Sequence, residues 1–177
     1  MTKFIIDPLH STIGFKIKHL MISTVNGNFN KFNATMQSPA AIKFDGASIQ
    51  FEADVDSITT NITDRDNHLK SPDFFDAAKF PKLTFKSTSV QSNGAHYEVT
   101  GDMTIRDVTK SISLKGTFNG TDVDAYGQTK YGFEIEGHIK RSDFNLNFNI
   151  AGGKGSMLIG DEVILMIDVQ MMELNEA

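Results

Sequence analysis

Residues 49–55 read Ile49-Gln50-Phe51-Glu52-Ala53-Asp54-Val55, with apolar and polar side chains in strict alternation. In an extended strand successive side chains point to opposite faces, so this stretch has one apolar face and one wet face. The same period recurs outward along the chain. Ile13, Phe15 and Ile17 alternate with Gly14, Lys16 and Lys18, and Val99, Gly101, Met103 and Ile105 with Thr100, Asp102, Thr104 and Arg106. Ile112, Leu114 and Phe118 are interleaved with Ser113, Lys115 and Thr117, and Tyr131, Phe133, Ile135 and Ile139 with Glu134, Glu136 and Lys140. Val163, Leu165, Ile167 and Val169 continue the pattern. Two less regular segments, around Val25–Met36 and around Leu83 and Phe85, bring the count to about eight strands from residue 12 onward. The broken alternation at Phe29 and Phe32 predicts a bulge. Turn signals separate the segments at Phe44-Asp45-Gly46, Ser92-Asn93-Gly94, Asn119-Gly120 and Gly152–Gly155. Eight antiparallel strands, each with one apolar face, must close into a barrel or pack as two sheets.

One segment breaks the pattern. Thr63-Asp64-Arg65-Asp66 has the form of a capping box, and Ser71-Pro72 that of a second helix start. A helical insert of one or two short helices is expected near residues 61–79. No repeat, linker or low-complexity tract divides the chain, so residues 1–177 are expected to form a single domain.

Composition narrows the function classes. The 177 residues are 40% hydrophobic and 22% charged, enough for a packed core without staples. The net charge is −5 and no Lys/Arg run exceeds two residues, so a nucleic-acid footprint is not expected. With no cysteine, thiol catalysis and Cys-ligated zinc are excluded. The apolar run near the N-terminus is three residues long, far short of a signal or membrane segment, so a cytoplasmic location without stable membrane insertion is expected.

Asp7-Pro8-Leu9-His10-Ser11, Phe15, His19-Leu20 and Gly27-Asn28-Phe29 resemble the opening of the YceI-like family. The block Arg65-Asp66-Asn67-His68-Leu69-Lys70-Ser71-Pro72-Asp73-Phe74-Phe75-Asp76, then Lys79-Phe80-Pro81, is similar to that family's most specific motif. Gly101–Arg106, Val108-Thr109-Lys110, Arg141-Ser142-Asp143-Phe144 and Gly160-Asp161-Glu162-Val163 continue the resemblance over essentially the whole chain. The chain departs from the pattern at Phe4 (usually Trp), Asp107 (often Gly), Ser111 (often Pro) and Asn145 (commonly Gly). The resemblance implies an all-β, single antiparallel eight-stranded lipocalin-like barrel. Its lumen would hold a long-chain polyisoprenoid or a similar amphiphile, such as a fatty amide or quinone, with the protein acting as carrier or sequestration factor. Catalysis, a metal or a cofactor is not implied; a homodimer is possible.

On that basis Phe15, Phe51, Phe85, Phe133 and Leu165 are the candidate lumen residues. Small residues on the apolar faces (Ala53, Gly101, Gly116 and Gly137) should leave space beside the rings. His19, Arg65 and His68, with His10, are candidates for a headgroup site at one barrel end, since guanidinium binds phosphate or carboxylate in bidentate fashion. The competing reading is that Arg65 and His68 only anchor the insert, pairing with Asp64, Asp66 or Asp161. The alternative function is a small barrel enzyme using these His and Arg groups as acid and base. Glu134 and Glu136 fall on the wet face, and Gly152-Gly153-Lys154-Gly155-Ser156 lacks P-loop order, so neither is a candidate site.

Overall fold

The computed structural model describes residues 1–153 and 157–174. Eleven strands follow one another: β1 (Thr2–Ile6), β2 (Thr12–His19), β3 (Ser23–Phe29), β4 (Phe32–Ser38), β5 (Ser48–Asp54), β6 (Ile58–Thr59), β7 (Lys82–Asn93), β8 (His96–Ile105), β9 (Val108–Val123), β10 (Thr129–Lys140) and β11 (Ile159–Glu173). One helix, α1 (Thr63–Lys70), lies between β6 and β7.

All pairings are antiparallel, and the ring closes. The hydrogen-bonded order runs β1-β4-β5-β7-β8-β9-β10-β11, and β11 pairs back onto β1. β2, β3 and β6 are continuations of β1, β4 and β5 beyond a bend. Thus β11 pairs with β2 over Ile159–Asp168 and with β1 over Met171–Glu173. The barrel therefore has eight strand positions, three of them kinked, and closure leaves no long open edge.

Several local expectations are corrected. β1 was not foreseen, yet Phe4 and Ile6 are buried and this strand closes the ring. The break between Phe29 and Phe32 is a corner, not a bulge: Ser57 Oγ accepts the Asn30 and Lys31 N–H groups at 3.1 and 2.9 Å and holds the bend. Asn119-Gly120 lies inside β9, opposite a register shift at Gly132/Phe133. The turn comes later, where the Asp124 carboxylate accepts the N–H groups of Tyr126 and Gln128. Thr63 is not the N-cap of α1; Ile62 takes that place, without a side-chain cap. Ser71 starts no second helix. Its hydroxyl donates to the His68 carbonyl at 2.6 Å and ends α1, and residues 71–79 continue as turns. Of the glycine-rich loop, residues 154–156 lie outside the described residues; Ala151 and Met157 face each other across it in an antiparallel bridge.

The space expected beside small residues is filled at Gly101 and Gly137 but not at Gly116, where a Cβ would find only ordinary contacts at 3.7–3.8 Å. A Cβ on Gly101 would run into the Phe85 ring and lie 2.5 Å from the Lys86 carbonyl, and one on Gly137 would meet Leu114 Cδ2. Ala53 is itself fully buried. Gly101 and Gly137 are small because neighbouring side chains lie on them. Asn145, where the family commonly has Gly, ends the turn after β10 in left-handed backbone (φ 58°), a conformation Asn tolerates.

Candidate functional site: an apolar barrel cavity

The inward faces of the strands do not meet at the centre. They enclose a cavity of about 630 Å³, walled almost wholly by Ile, Leu, Val, Met and Phe side chains from every side of the ring. That volume lies within the ~300–1,000 Å³ typical of pockets that envelop a ligand.

One end is closed by an aromatic cluster in which Phe133 borders the cavity and behind it lies Phe44, which the sequence marks only as part of a turn. It descends from the loop between β4 and β5 and is buried. Its ring packs edge-on against Phe133 (4.9 Å between centroids), Phe118 (5.0 Å), Tyr97 (5.7 Å) and Phe4 (6.3 Å). The loop is pinned by Ser92 N–H donating to the Asp45 carboxylate at 2.6 Å and Gly46 N–H donating to the Val90 carbonyl at 2.8 Å.

The other end is bordered by α1 with its following turns and by the chain between β10 and β11. Thr60 joins α1 to the barrel. Its hydroxyl donates to Asp66 Oδ1 at 2.6 Å and accepts from Arg65 Nε at 2.6 Å; its N–H also donates to Asp66, and its carbonyl accepts from Arg65 Nη2 at 2.8 Å. Successive helical residues thus grip one buried residue, a structural reason for the Arg-Asp pair in the motif. His68 Nε2 bonds Asp73 Oδ2 at 2.8 Å, and the His68 ring sits edge-on to Phe74 (5.0 Å) and Phe148 (4.8 Å). Phe74 and Phe148 are themselves 5.1 Å apart, so three rings clasp the insert to the opposite loop.

Arg141 holds that loop from inside. Buried after β10, it donates to the carbonyls of Gly160, Phe148, Ile159 and Leu146. Burial pushes its guanidinium below the usual range, with Asp161 opposing the shift. Burial would raise the Asp161 carboxyl, but bonds from the Ser142 hydroxyl and N–H outweigh it and hold the group below its ordinary value.

All eight residues nominated from the sequence border this cavity: Phe15, Phe51, Phe85, Phe133 and Leu165 along the wall, His19, Arg65 and His68 at the open end. Phe133 is also part of the closing aromatic cluster. His10 does not join them; it bonds Asp7 at 3.0 Å in the turn between β1 and β2. Arg65 and His68 take Thr60 and Asp73 as partners rather than Asp64, Asp66 or Asp161. Glu134 and Glu136 are exposed. Arg141, Phe148, Phe74 and Lys18 border the cavity without having been nominated, although Arg141 and Phe74 stood within the motifs. Among the described residues no three His, Cys, Asp or Glu side chains gather into a metal-binding group.

The model for the YceI-like domain matches residues 4–171. The chain belongs to the YceI-like family. Protein YceI of Escherichia coli O6:H1 is 38% identical over 165 residues, spanning 91% of this chain and 81% of that protein. The crystal structure of Campylobacter jejuni YceI superimposes with a TM-score of 0.74 at 33% identity, covering 90% of this chain and 91% of that one. Burkholderia cenocepacia BcnA gives 0.78 at 25% identity, covering 93% and 98%. A polyisoprenoid-binding domain from Saccharophagus degradans shares the fold, with a TM-score of 0.65 at 14% identity over 97% and 98%. The barrel that the resemblance implies is thus the fold of these solved relatives, and among the described residues no helix is long and apolar enough to cross a membrane.

Proposed function

We propose that this YceI-like chain is a lipid-binding protein whose barrel holds one long apolar molecule, a polyisoprenoid or a comparable amphiphile such as a fatty amide or quinone, as a carrier or sequestration factor. The observation that carries the reading is the cavity: about 630 Å³, apolar along its wall, bounded at one end by Phe133 with Phe44 packed behind it, and polar only towards the other. At ~30 Å³ for each small group, water's share of liquid volume, the space takes a chain of about twenty such groups. An apolar cavity of this size is a costly void if nothing enters it, since its lining loses dispersion contacts. The Saccharophagus degradans domain with the same fold is described as polyisoprenoid-binding.

The polar groups at the open end favour binding over catalysis. Arg65 is engaged with Thr60, His68 with Asp73, and Arg141 with backbone carbonyls. They fix the walls of an entrance. Organic extraction of the purified protein followed by mass spectrometry tests the reading: a single class of molecule with a chain of at least about 15 carbons is expected. Extracts without such a molecule, together with no saturable uptake of a fluorescent isoprenol, would defeat it.

A further inference from the structure

The open end of the cavity is rimmed by apolar side chains that point into solvent. In the hairpin between β2 and β3, Met21 is 60% exposed and Ile22 84%. In the chain between β10 and β11, Ile150 is 56% exposed and Met157 48%. These segments are stitched together: Leu20 N–H donates to the Leu158 carbonyl at 2.8 Å, and Leu158 N–H to the Ile150 carbonyl at 2.9 Å. His19, Ile150 and Leu158 border the cavity itself, so the patch is continuous with the lumen wall.

Two features set this rim apart from incidental exposure. First, Leu20 and Met21 both adopt left-handed backbone (φ 51° and 59°), and Ile22 N–H closes the turn onto the His19 carbonyl at 3.2 Å. A turn with two left-handed central residues ordinarily carries Asn-Gly. Here bulky apolar residues occupy it at a conformational cost, and strain retained in that way points to a use. Second, the rim segments themselves carry no acid. The chain carries 22 Asp and Glu, yet residues 8–44 contain none and residues 144–160 contain none. The two segments that form the rim come from these acid-free stretches. Lys18 lies beside the hairpin, with Nζ directed to the Thr24 hydroxyl at 3.4 Å.

We propose that this rim docks on the surface of a lipid bilayer, so that a ligand passes between lumen and membrane without crossing water. Exposed apolar side chains insert among headgroups, and the two rim segments bring Lys18 and no acid of their own to an anionic lipid surface, while Asp64 and Asp73 of the insert stand at the same end. The purpose rests on the lipid-binding reading above, but the geometry of the rim does not.

The test uses the whole chain with Met21→Asp/Ile22→Asp as the rim variant. Neither side chain borders the cavity. Val123→Asp/Tyr126→Asp, in the hairpin at the opposite barrel end, is the control. Flotation with phosphatidylcholine vesicles, with and without phosphatidylglycerol, reads docking directly. Wild type and control should float, and the rim variant should lose about tenfold in partitioning. Transfer of a fluorescent long-chain isoprenol from protein to vesicles should speed up with vesicle concentration for wild type and control, and do so about tenfold less for the rim variant. Absence of flotation, or a transfer rate independent of vesicle concentration, overturns the proposal. So does a wild-type dimer in solution that the rim substitutions dissociate without changing flotation, which would assign the patch to self-association. If the probe never loads while flotation holds, the lumen reading fails and the docking proposal stands.

Discussion

Arg65 donates to Thr60 twice, from Nε to the hydroxyl at 2.6 Å and from Nη2 to the carbonyl at 2.8 Å, so a single side chain sets where the helical insert meets the barrel. Thr60→Val removes the hydroxyl that serves both Arg65 and Asp66. Leaving these part-buried groups short of a partner should cost about 1–3 kcal/mol. For a chain of this size that lowers Tm by about 2–4 °C per kcal/mol. Titrations of the variant with charged and uncharged probes of equal chain length should weaken to the same degree. Loss confined to the charged probe, with Tm unchanged, would instead make Arg65 a headgroup ligand.

Asp7 provides a pH prediction. Lys130 Nζ bonds its Oδ2 at 2.8 Å, and this contact, against the opposing effect of burial and with help from His10 and the Leu9 N–H, lowers the carboxyl from 3.8 to about 2. A carboxyl depressed in the folded state stabilises above its unfolded value and loses that contribution as pH falls through the folded one. The stabilisation is therefore complete above about pH 4, gone below about pH 2, and on the order of 2 kcal/mol. Thermal melts across that window should show Asp7→Asn less stable at pH 7 and nearly equal to wild type at pH 2. An identical pH profile for both proteins would contradict the assignment.

Period-two alternation made the strands readable and narrowed the fold to a barrel or two packed sheets, because a strand with one apolar face has few ways to bury it; the family resemblance decided for the barrel. What alternation does not encode is where a strand bends. β1 and β2 follow one edge of β11 in succession, and that continuity comes from register across the ring, not from spacing. The wall residues were legible for the same reason as the strands. The ends of the cavity were not. Phe44 looks like a turn residue until the loop between β4 and β5 folds inward, and Arg141 becomes a cavity residue only because four carbonyls from two segments converge on it. Single glycines are ambiguous in the same way: the alternation pattern reads Gly101 as free space, and the Phe85 ring occupies it.

That occupancy gives a pair of contrasting substitutions. At Gly101→Ala the new methyl meets the Phe85 ring and, at 2.5 Å, the Lys86 carbonyl, a backbone atom that cannot step aside. At Gly137→Ala the obstacle is the far end of the Leu114 side chain, which can rotate. Gly101→Ala should cost about 1–3 kcal/mol and Gly137→Ala clearly less. Equal destabilisation in chemical denaturation would contradict this placement of the rings.

Phe44→Ala should remove the ring that backs the closed end. Loss of a buried Phe costs about 3–5 kcal/mol. The expected fall in Tm is on the order of 10 °C. Longer isoprenols should then be admitted that the wild-type cavity excludes. A Tm within a degree or two of wild type would show that the four rings around Phe44 do not depend on it.

The central claim is that an apolar lumen of finite length holds the chain of the ligand, and a chain-length series tests it most directly. Uncharged straight-chain amides of increasing length should be titrated by calorimetry into delipidated protein. Affinity should rise with each added methylene, by at most about 0.8 kcal/mol, and stop rising near about twenty carbons, when the cavity is full. Affinity independent of chain length, or no saturable binding at any length, would contradict the account.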